Sequence, residues 1–154
     1  SRLMFKRSPR VELYTLIFTG AVTACGALIL SPVLPFFAMK HGGATALDFA
    51  LITSAYSFFE MVSAPLLGTL SDRIGRRPVL LTGIFASAIL YWVLSEADTV
   101  KRLLLVRAML GFASGTEPAE IAFITDLTSK EQRAEWIALQ MKIETVGALF
   151  GPAI

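Results

Sequence analysis

Long apolar runs alternate with short charged segments along the whole chain, and this alternation limits strongly what the chain can fold into. The first run extends from about Glu12 to Ala38 with almost no charge between its ends. Hydrophobic residues make up 55% of the 154 residues and charged residues only 17%, against about 25% charged residues in a typical soluble domain. A membrane-spanning helix needs about 20 mostly apolar residues. The sequence therefore predicts an all-α, integral membrane helical bundle.

Five apolar segments are long enough to be counted as spans. The breaks between them carry glycine, proline or charged residues, as in segments 41–43 and 95–102, and the charged segment 126–135 is predicted to be a loop. The fifth segment stops at Ile154 inside an apolar run, so we expect a truncated fifth span and an incomplete N-terminal bundle. The predicted tail covers residues 1–11, and the predicted spans cover residues 12–38, 47–70, 79–94, 103–124 and 136–154.

Basic residues are concentrated in alternate breaks between the spans. With the N-terminus in the cytoplasm, nine basic residues lie on the cytoplasmic side and three, Lys40, Lys101 and Arg102, lie on the opposite side. Cytoplasmic loops of membrane proteins carry an excess of lysine and arginine. We therefore expect a multi-pass protein with a cytoplasmic N-terminus, in the plasma membrane or an organellar membrane.

The break between the second and third segments has the most distinctive sequence. Residues 68–78 read GTLSDRIGRRP, and we call them the arginine hinge. Gly68 would let the second helix approach a neighbouring helix closely, and Gly75 would permit a tight turn. Asp72 can face the N-terminal end of a nearby helix, where the helix dipole favours an anion. Arg73 and Arg76 are the expected partners of this acid.

Ionisable side chains also lie inside the apolar segments, where they are energetically expensive and point to function. Glu60 lies midway along the second segment, and Arg107 and Glu117 lie in the fourth. Because burial favours the neutral form of a carboxyl group, an acid in such a place can carry a proton. Glu60 is the first candidate and Glu117, beside Pro118, the second. Each acid could instead form a structural ion pair, and Arg107 could instead reach the outer interface.

Small and polar residues recur at helical spacing along the second segment. Such a stripe suits either the wall of a cavity or a close contact between helices. Its members are Thr53, Ser57, Glu60, Ala64 and Gly68.

Two of these patterns resemble motifs of the major facilitator superfamily of transporters. The arginine hinge is similar to the loop motif between the second and third helices of that superfamily. Arg107-x-x-x-Gly111 resembles its fourth-helix motif, which is associated with proton coupling. The resemblance implies that the hinge closes the cytoplasmic face through bridges between helices. The residues that would form this gate are Gly68, Asp72, Arg73, Gly75, Arg76 and Arg77.

Two further patterns resemble motifs of particular branches of the superfamily. Gly147-x-x-x-Gly151-Pro152 is similar to the fifth-helix motif of the antiporter branches, where it is expected to bend the helix. It could also be a simple contact between small residues. The Pro-Val-x-Pro sequence at residues 32–35 is like a first-helix motif of twelve-helix drug:proton antiporters. The chain thus resembles the N-terminal half of such a transporter.

The sequence carries no glycine-rich phosphate loop, no cluster of metal ligands and no Ser/His/Asp set. We therefore expect no enzyme activity, no cofactor, no metal site and no nucleic-acid partner. The resemblance implies alternating-access transport of a small organic solute, with proton-coupled antiport as the first reading. The alternatives are a uniporter or symporter of sugars, organic anions or metabolites, and a membrane protein that keeps the fold without transporting. The expected partners are the substrate, protons, the lipid bilayer and the C-terminal half of the same polypeptide.

Overall fold

The computed structural model describes residues 11–23, 35, 39 and 45–150, with side chains described as far as residue 146. This part of the chain contains α-helices and no strand, which agrees with the predicted all-α fold. The helices are α1 (Val11–Thr23), α2 (Ala46–Ile74), α3 (Arg76–Ser95), α4 (Val100–Ser114), α5 (Glu117–Leu127) and α6 (Lys130–Phe150). Within the described residues, α2 and α3 are the two helices long and apolar enough to cross a membrane.

A capping box begins α2. The Thr45 hydroxyl accepts a hydrogen bond from the backbone N–H of Asp48, and the Asp48 carboxylate accepts one from the N–H of Thr45 at 2.9 Å. These two bonds satisfy amide groups that have no partner within the helix. The helix then continues through Pro65 to Ile74.

The arginine hinge is helical except at one residue, although the sequence predicted a loop. The helix continues beyond the predicted end of the second span, and α3 begins at Arg76, before the predicted start of the third. The N–H of Gly75 closes the last turn of α2 on the carbonyl of Ser71 at 3.0 Å. Gly75 has a φ of 104°, a backbone conformation that favours glycine. A single residue therefore reverses the chain.

The predicted fourth span is not one continuous helix. It is divided into α4 and α5 by Gly115 and Thr116. Pro118 lies in the first turn of α5, where its missing N–H is tolerated, but it cannot continue the hydrogen bonding of α4. The carbonyl of Thr116 instead accepts from the N–H of Glu120 at 3.0 Å and begins the new helix.

The charged segment 126–135, predicted as a loop, is also mostly helical. Only Thr128 and Ser129 separate α5 from α6, which begins at Lys130. Hydrogen bonds from the backbone of Glu131 and from Ser129 hold the pKa of the Glu131 carboxyl below its ordinary value. A carboxylate in the first turn also suits the helix dipole. The start of α6 is therefore stabilised by its own polar residues.

The described helices fall into two compact units, and the larger comprises residues 31–122. In it α2 packs most extensively on α4. Gly111 lies against Tyr56, and four residues later Gly115 lies against Ser63, so the two helices run in the same direction. Gly83 of α3 faces the C-terminal end of α4, whereas Tyr91 interacts with Arg107 nearer its start. Helix α3 therefore runs opposite to α2 and α4.

The smaller unit comprises residues 1–30 and 123–154 and contains α1 and α6. Tyr14 and Trp136 pack edge to face with ring centroids 5.3 Å apart, a favourable aromatic geometry. Further along both helices, a Cβ at Gly20 would lie 3.7 Å from the Glu144 carboxylate. Contacts that advance together along both sequences mean that α1 and α6 run in the same direction.

Large apolar side chains cover much of the outer surface of the described helices. Phe18 of α1 is 70% exposed, and Phe85 and Trp92 of α3 are 67% and 69% exposed. Soluble proteins seldom expose large contiguous apolar surface. The buried positions include small or hydroxyl residues such as Ser63 and Ser87. This arrangement is typical of helices that face lipid and pack on each other through small side chains.

Candidate functional site

Two glycines, Gly111 in α4 and Gly115 directly after its last residue, bring this part of the chain very close to the backbone of α2. A Cβ added at Gly111 would lie 2.9 Å from the carbonyl carbon of Tyr56 and 3.0 Å from its Cα. A Cβ at Gly115 would lie 2.9 Å from the backbone nitrogen of Ala64 and 3.0 Å from the carbonyl oxygen of Glu60. Side chains larger than hydrogen would force the backbones apart. The crossing therefore fixes which residues of α2 and α4 meet.

Three polar side chains meet beside this crossing. The Arg107 guanidinium carbon lies 4.6 Å from the centroid of the Tyr56 ring, within the range of a cation–π interaction. The Tyr56 hydroxyl donates a hydrogen bond to Oε1 of Glu60 at 3.3 Å. Tyr56 and Glu60 are one turn apart on α2, which places both on the same face. The tyrosine therefore contacts two of the three ionisable groups that the sequence singled out, Arg107 and Glu60.

Two more groups interact electrostatically with this trio. Glu117, at the start of α5, interacts with Glu60, and Tyr91 of α3 interacts with both Glu60 and Arg107. We call these five residues, contributed by four helices, the polar cluster. Nε of Arg107 is buried without a hydrogen-bond partner. Arg107 and Glu60 do not form a direct ion pair in this part of the structure.

The stripe of small and polar residues on α2 contributes to the crossing over its second half. Glu60 and Ala64 present their backbones to Gly115. Gly68 lies opposite Pro118, and a Cβ added at the glycine would lie 3.6 Å from the Cβ of the proline. The first half of the stripe, at Thr53 and Ser57, is exposed. Of the two uses that the sequence left open, the close helix contact is the one that residues 60–68 make.

The arginine hinge is held together by one of its own arginines. Arg76 Nη1 forms an ion pair with Asp72 at 2.5 Å and donates to the buried hydroxyl of Ser71 at 2.7 Å. Both partners belong to the last turn of α2, whereas Arg76 is the first residue of α3. The Asp72 side chain is 59% exposed, so the ion pair contributes only about 0–1 kcal/mol. Its effect is to orient the two helix ends across Gly75.

The remaining predicted residues are distributed as follows. Arg73 lies exposed in the last turn of α2, where a cation suits the helix dipole, and Arg77 lies exposed in the first turn of α3. Gly147 lies in α6, and Gly151 and Pro152 lie outside the described residues. Residues 32–34 of the first-helix pattern are also outside that part.

Tyr56, Tyr91 and Ser71 were not selected from the sequence. Tyrosines in an apolar helix read as ordinary packing or interface residues, and Ser71 is one hydroxyl among several in the hinge. One signal was available for Tyr56: it precedes Glu60 by four residues, the spacing at which helical side chains meet. Among the described residues, no three His, Cys, Asp or Glu side chains lie close enough together to hold a metal ion.

Comparisons with known proteins agree with the motifs. A family model described as "Major Facilitator Superfamily" matches residues 16–154. The chain is 33% identical over 133 residues, 85% of its length, to the class E tetracycline resistance protein of Escherichia coli, of which it covers 33%. It is 32% identical over 141 residues, 89% of its length, to the class C protein of the same organism, of which it covers 36%.

A more distant relative comes from another bacterium. The quinolone resistance protein NorA of Staphylococcus aureus is 25% identical over 144 residues, which is 93% of this chain and 37% of NorA. The chain thus spans about a third of the length of the curated relatives it matches. These matches confirm the resemblance that the four motifs indicated.

Proposed function

The chain belongs to the Major Facilitator Superfamily, and we propose that it forms the N-terminal bundle of a secondary active transporter. This transporter would exchange a small organic solute for protons by alternating access. The observation that carries the proposal is the polar cluster. An acid and an arginine lie in the apolar parts of two neighbouring helices and are joined by a tyrosine rather than by a direct ion pair. Buried ionisable groups in membrane helices mark proton and substrate pathways.

The helix directions support a serpentine path through the membrane. In the larger unit α2 and α4 run one way and α3 the other, and in the smaller unit α1 and α6 run the same way. Consecutive spans must alternate in direction, so the second and fourth have to be parallel, as do the first and fifth. We propose five spans near residues 12–38, 47–70, 79–94, 103–124 and 136–154. The N-terminus would be cytoplasmic, as the distribution of basic residues favours.

Within this bundle we assign Glu60 the role of proton carrier. Its carboxyl group is half-buried and interacts with one cation, Arg107, and one anion, Glu117. Adding a proton to Glu60 or removing one changes the electrostatic interactions of α2 with Arg107 of α4 and with Glu117 of α5. In alternating access such a change would bias one arrangement of the helices over the other.

The arginine hinge would form part of the cytoplasmic gate. Arg76 already joins the ends of α2 and α3 through two side chains, and Arg73 and Arg77 extend exposed cationic groups on either side of Gly75. An exposed pair is weak alone, so the gate requires further partners from elsewhere in the transporter. We propose that Gly147, Gly151 and Pro152 bend the fifth span, as the matching motif implies.

The names of the relatives favour a drug-sized organic substrate. They are resistance proteins for tetracycline and quinolone, and their family is one of transporters rather than enzymes. Because the chain aligns with about a third of each relative, we propose that additional helices of the same polypeptide complete the substrate cavity. Binding at the interface between two halves near the bilayer midplane is the usual arrangement in such transporters.

The test is a flux measurement with the full-length transporter in proteoliposomes, using tetracycline and a quinolone as probes. An imposed pH gradient should drive accumulation of the probe, and a protonophore should abolish it. Equilibration without accumulation would indicate a uniporter, and accumulation in the direction of proton flow a symporter. Absence of flux for these probes and for a panel of sugars and organic anions would contradict transport altogether.

A further inference from the structure

Tyr56 has a central place in the polar cluster, and it belongs to none of the four motifs found in the sequence. It is half-buried on α2, and its two ends contact two different ionisable groups. The face of the ring receives the Arg107 guanidinium at 4.6 Å, and the hydroxyl donates to Glu60 at 3.3 Å. Among the described residues, Arg107 and Glu60 form no direct ion pair with each other, and Tyr56 contacts both.

The backbone of Tyr56 is fixed independently of these contacts. Gly111 lies one turn beyond Arg107 on α4, and a Cβ there would fall within 3.0 Å of the Tyr56 backbone. The same crossing that brings the helices together therefore holds the ring under the guanidinium. A positioning residue needs such support, because loosely held side chains do not maintain a fixed geometry.

From this arrangement we infer that Tyr56 is a positioning residue for proton coupling, which keeps Arg107 and Glu60 adjacent while preventing their direct pairing. The inference rests on the proposed function. The Nε atom of Arg107 is buried without a hydrogen-bond partner. The Tyr56 ring therefore supplies part of the compensation that the buried charge of Arg107 needs. Glu60 then remains available to take up and release a proton, whereas a permanent ion pair would hold its carboxyl group in the ionised form. The other ionisable groups that face it are Glu117 of α5 and Tyr91 of α3.

The ring contact can be tested without changing the shape of the side chain. In the full-length transporter, Tyr56 is replaced by phenylalanine and then by phenylalanine carrying one, two or three fluorines. Each fluorine withdraws charge from the ring face and weakens a cation–π interaction. The maximal rate of proton-driven tetracycline transport should fall stepwise, by about 2- to 30-fold across the series, with KM changed less than twofold. The same series at the exposed Phe85 should have no effect.

The hydroxyl contact is tested by comparing Tyr56→Phe with the wild type. The loss of one hydrogen bond should reduce the maximal rate by about 2- to 10-fold, again without a matching change in KM. Tyr56→Leu, which removes both contacts, should transport more slowly than Tyr56→Phe. The expected ranking is wild type, then Tyr56→Phe, then Tyr56→Leu.

The inference and the proposed function fail in different ways. If the wild-type transporter moves tetracycline and a quinolone without regard to the pH gradient, the proposed function is wrong. If the wild type is gradient-driven but the rate is flat across the fluorinated series, or Tyr56→Phe equals the wild type, Tyr56 does not position the pair and the inference is overturned. A loss of transport caused by a higher KM, with the maximal rate unchanged, would also overturn the inference, because that result would place Tyr56 in substrate binding.

Discussion

Replacing Gly111 by alanine tests whether the crossing of α2 and α4 is as close as the structure has it. The added Cβ would lie 2.9 Å from the carbonyl carbon of Tyr56 and nearer still to its oxygen. These are backbone atoms of a helix and cannot rotate away, so part of α2 must move. Overpacking costs about 1–3 kcal/mol, and for a backbone clash we take the upper half of that range.

The gain in helix propensity acts in the opposite direction. Alanine is about 1 kcal/mol more favourable than glycine inside a helix. Gly111→Ala should therefore reduce the free energy of unfolding by about 1–2 kcal/mol. The matched control is Gly68→Ala, because a Cβ there would lie 3.6 Å from Pro118 in ordinary van der Waals contact. That variant keeps the propensity gain without the clash and should be stabilised by up to about 1 kcal/mol.

Both variants can be compared in the full-length transporter by an equilibrium unfolding titration with SDS in mixed micelles. We predict changes of opposite sign for the two alanines. If Gly111→Ala proved as stable as Gly68→Ala, the α2–α4 crossing would be wider than described. The positions of Tyr56 and Arg107 relative to each other would then lose their support.

Three further predictions concern the hinge and the topology. Gly75→Ala should reduce the free energy of unfolding by about 1–3 kcal/mol because of the positive φ, and a wild-type result in the same SDS titration would contradict the turn geometry. Arg76→Lys retains the charge but replaces the planar guanidinium, whose Nη1 contacts both Asp72 and Ser71, by a compact ammonium on a different stem. Its unfolding free energy should stay within about 1 kcal/mol of the wild type while the transport rate falls, and an unchanged rate would remove the hinge from the gate. In a Cys25→Ser background, a cysteine at Arg77 should react with an impermeant maleimide only from the cytoplasmic side and one at Asp98 only from the other side. Labelling of each cysteine from the opposite side would show that the proposed orientation of the protein in the membrane is wrong.

The long apolar helices could be predicted from the sequence because their cause is local. A run of about 20 apolar residues has to be helical in lipid. Within the larger unit, α2 and α4 are parallel to each other and antiparallel to α3, and within the smaller unit α1 and α6 are parallel. The helical parts of the segments between the predicted spans were harder to predict. Ser129-Lys130-Glu131-Gln132 has the spacing of a capping box, yet its charge density led to a loop prediction.

Other features depend on contacts between segments far apart in sequence. The sequence showed Gly115 and Pro118, but a proline in the first turn of a new helix looks the same as a proline that kinks a continuous one. The meeting of Tyr56 with Arg107 depends on the α2–α4 crossing, and the sequence alone did not pair Gly111 with a residue of α2. Glu60 and Arg107 could therefore be selected individually, whereas the residue that joins them could not.

The most direct test of proton coupling through the polar cluster is gradient-driven transport by a Glu60→Gln variant of the full-length transporter, with Glu120→Gln as the matched control. Net accumulation of tetracycline under a pH gradient and exchange of labelled for unlabelled tetracycline without a gradient are measured in the same proteoliposomes. We predict that Glu60→Gln abolishes accumulation but retains exchange, because the helices can still move while the proton has no carrier, and that Glu120→Gln retains both. Accumulation by Glu60→Gln at the wild-type rate would contradict the assignment of proton coupling to the polar cluster.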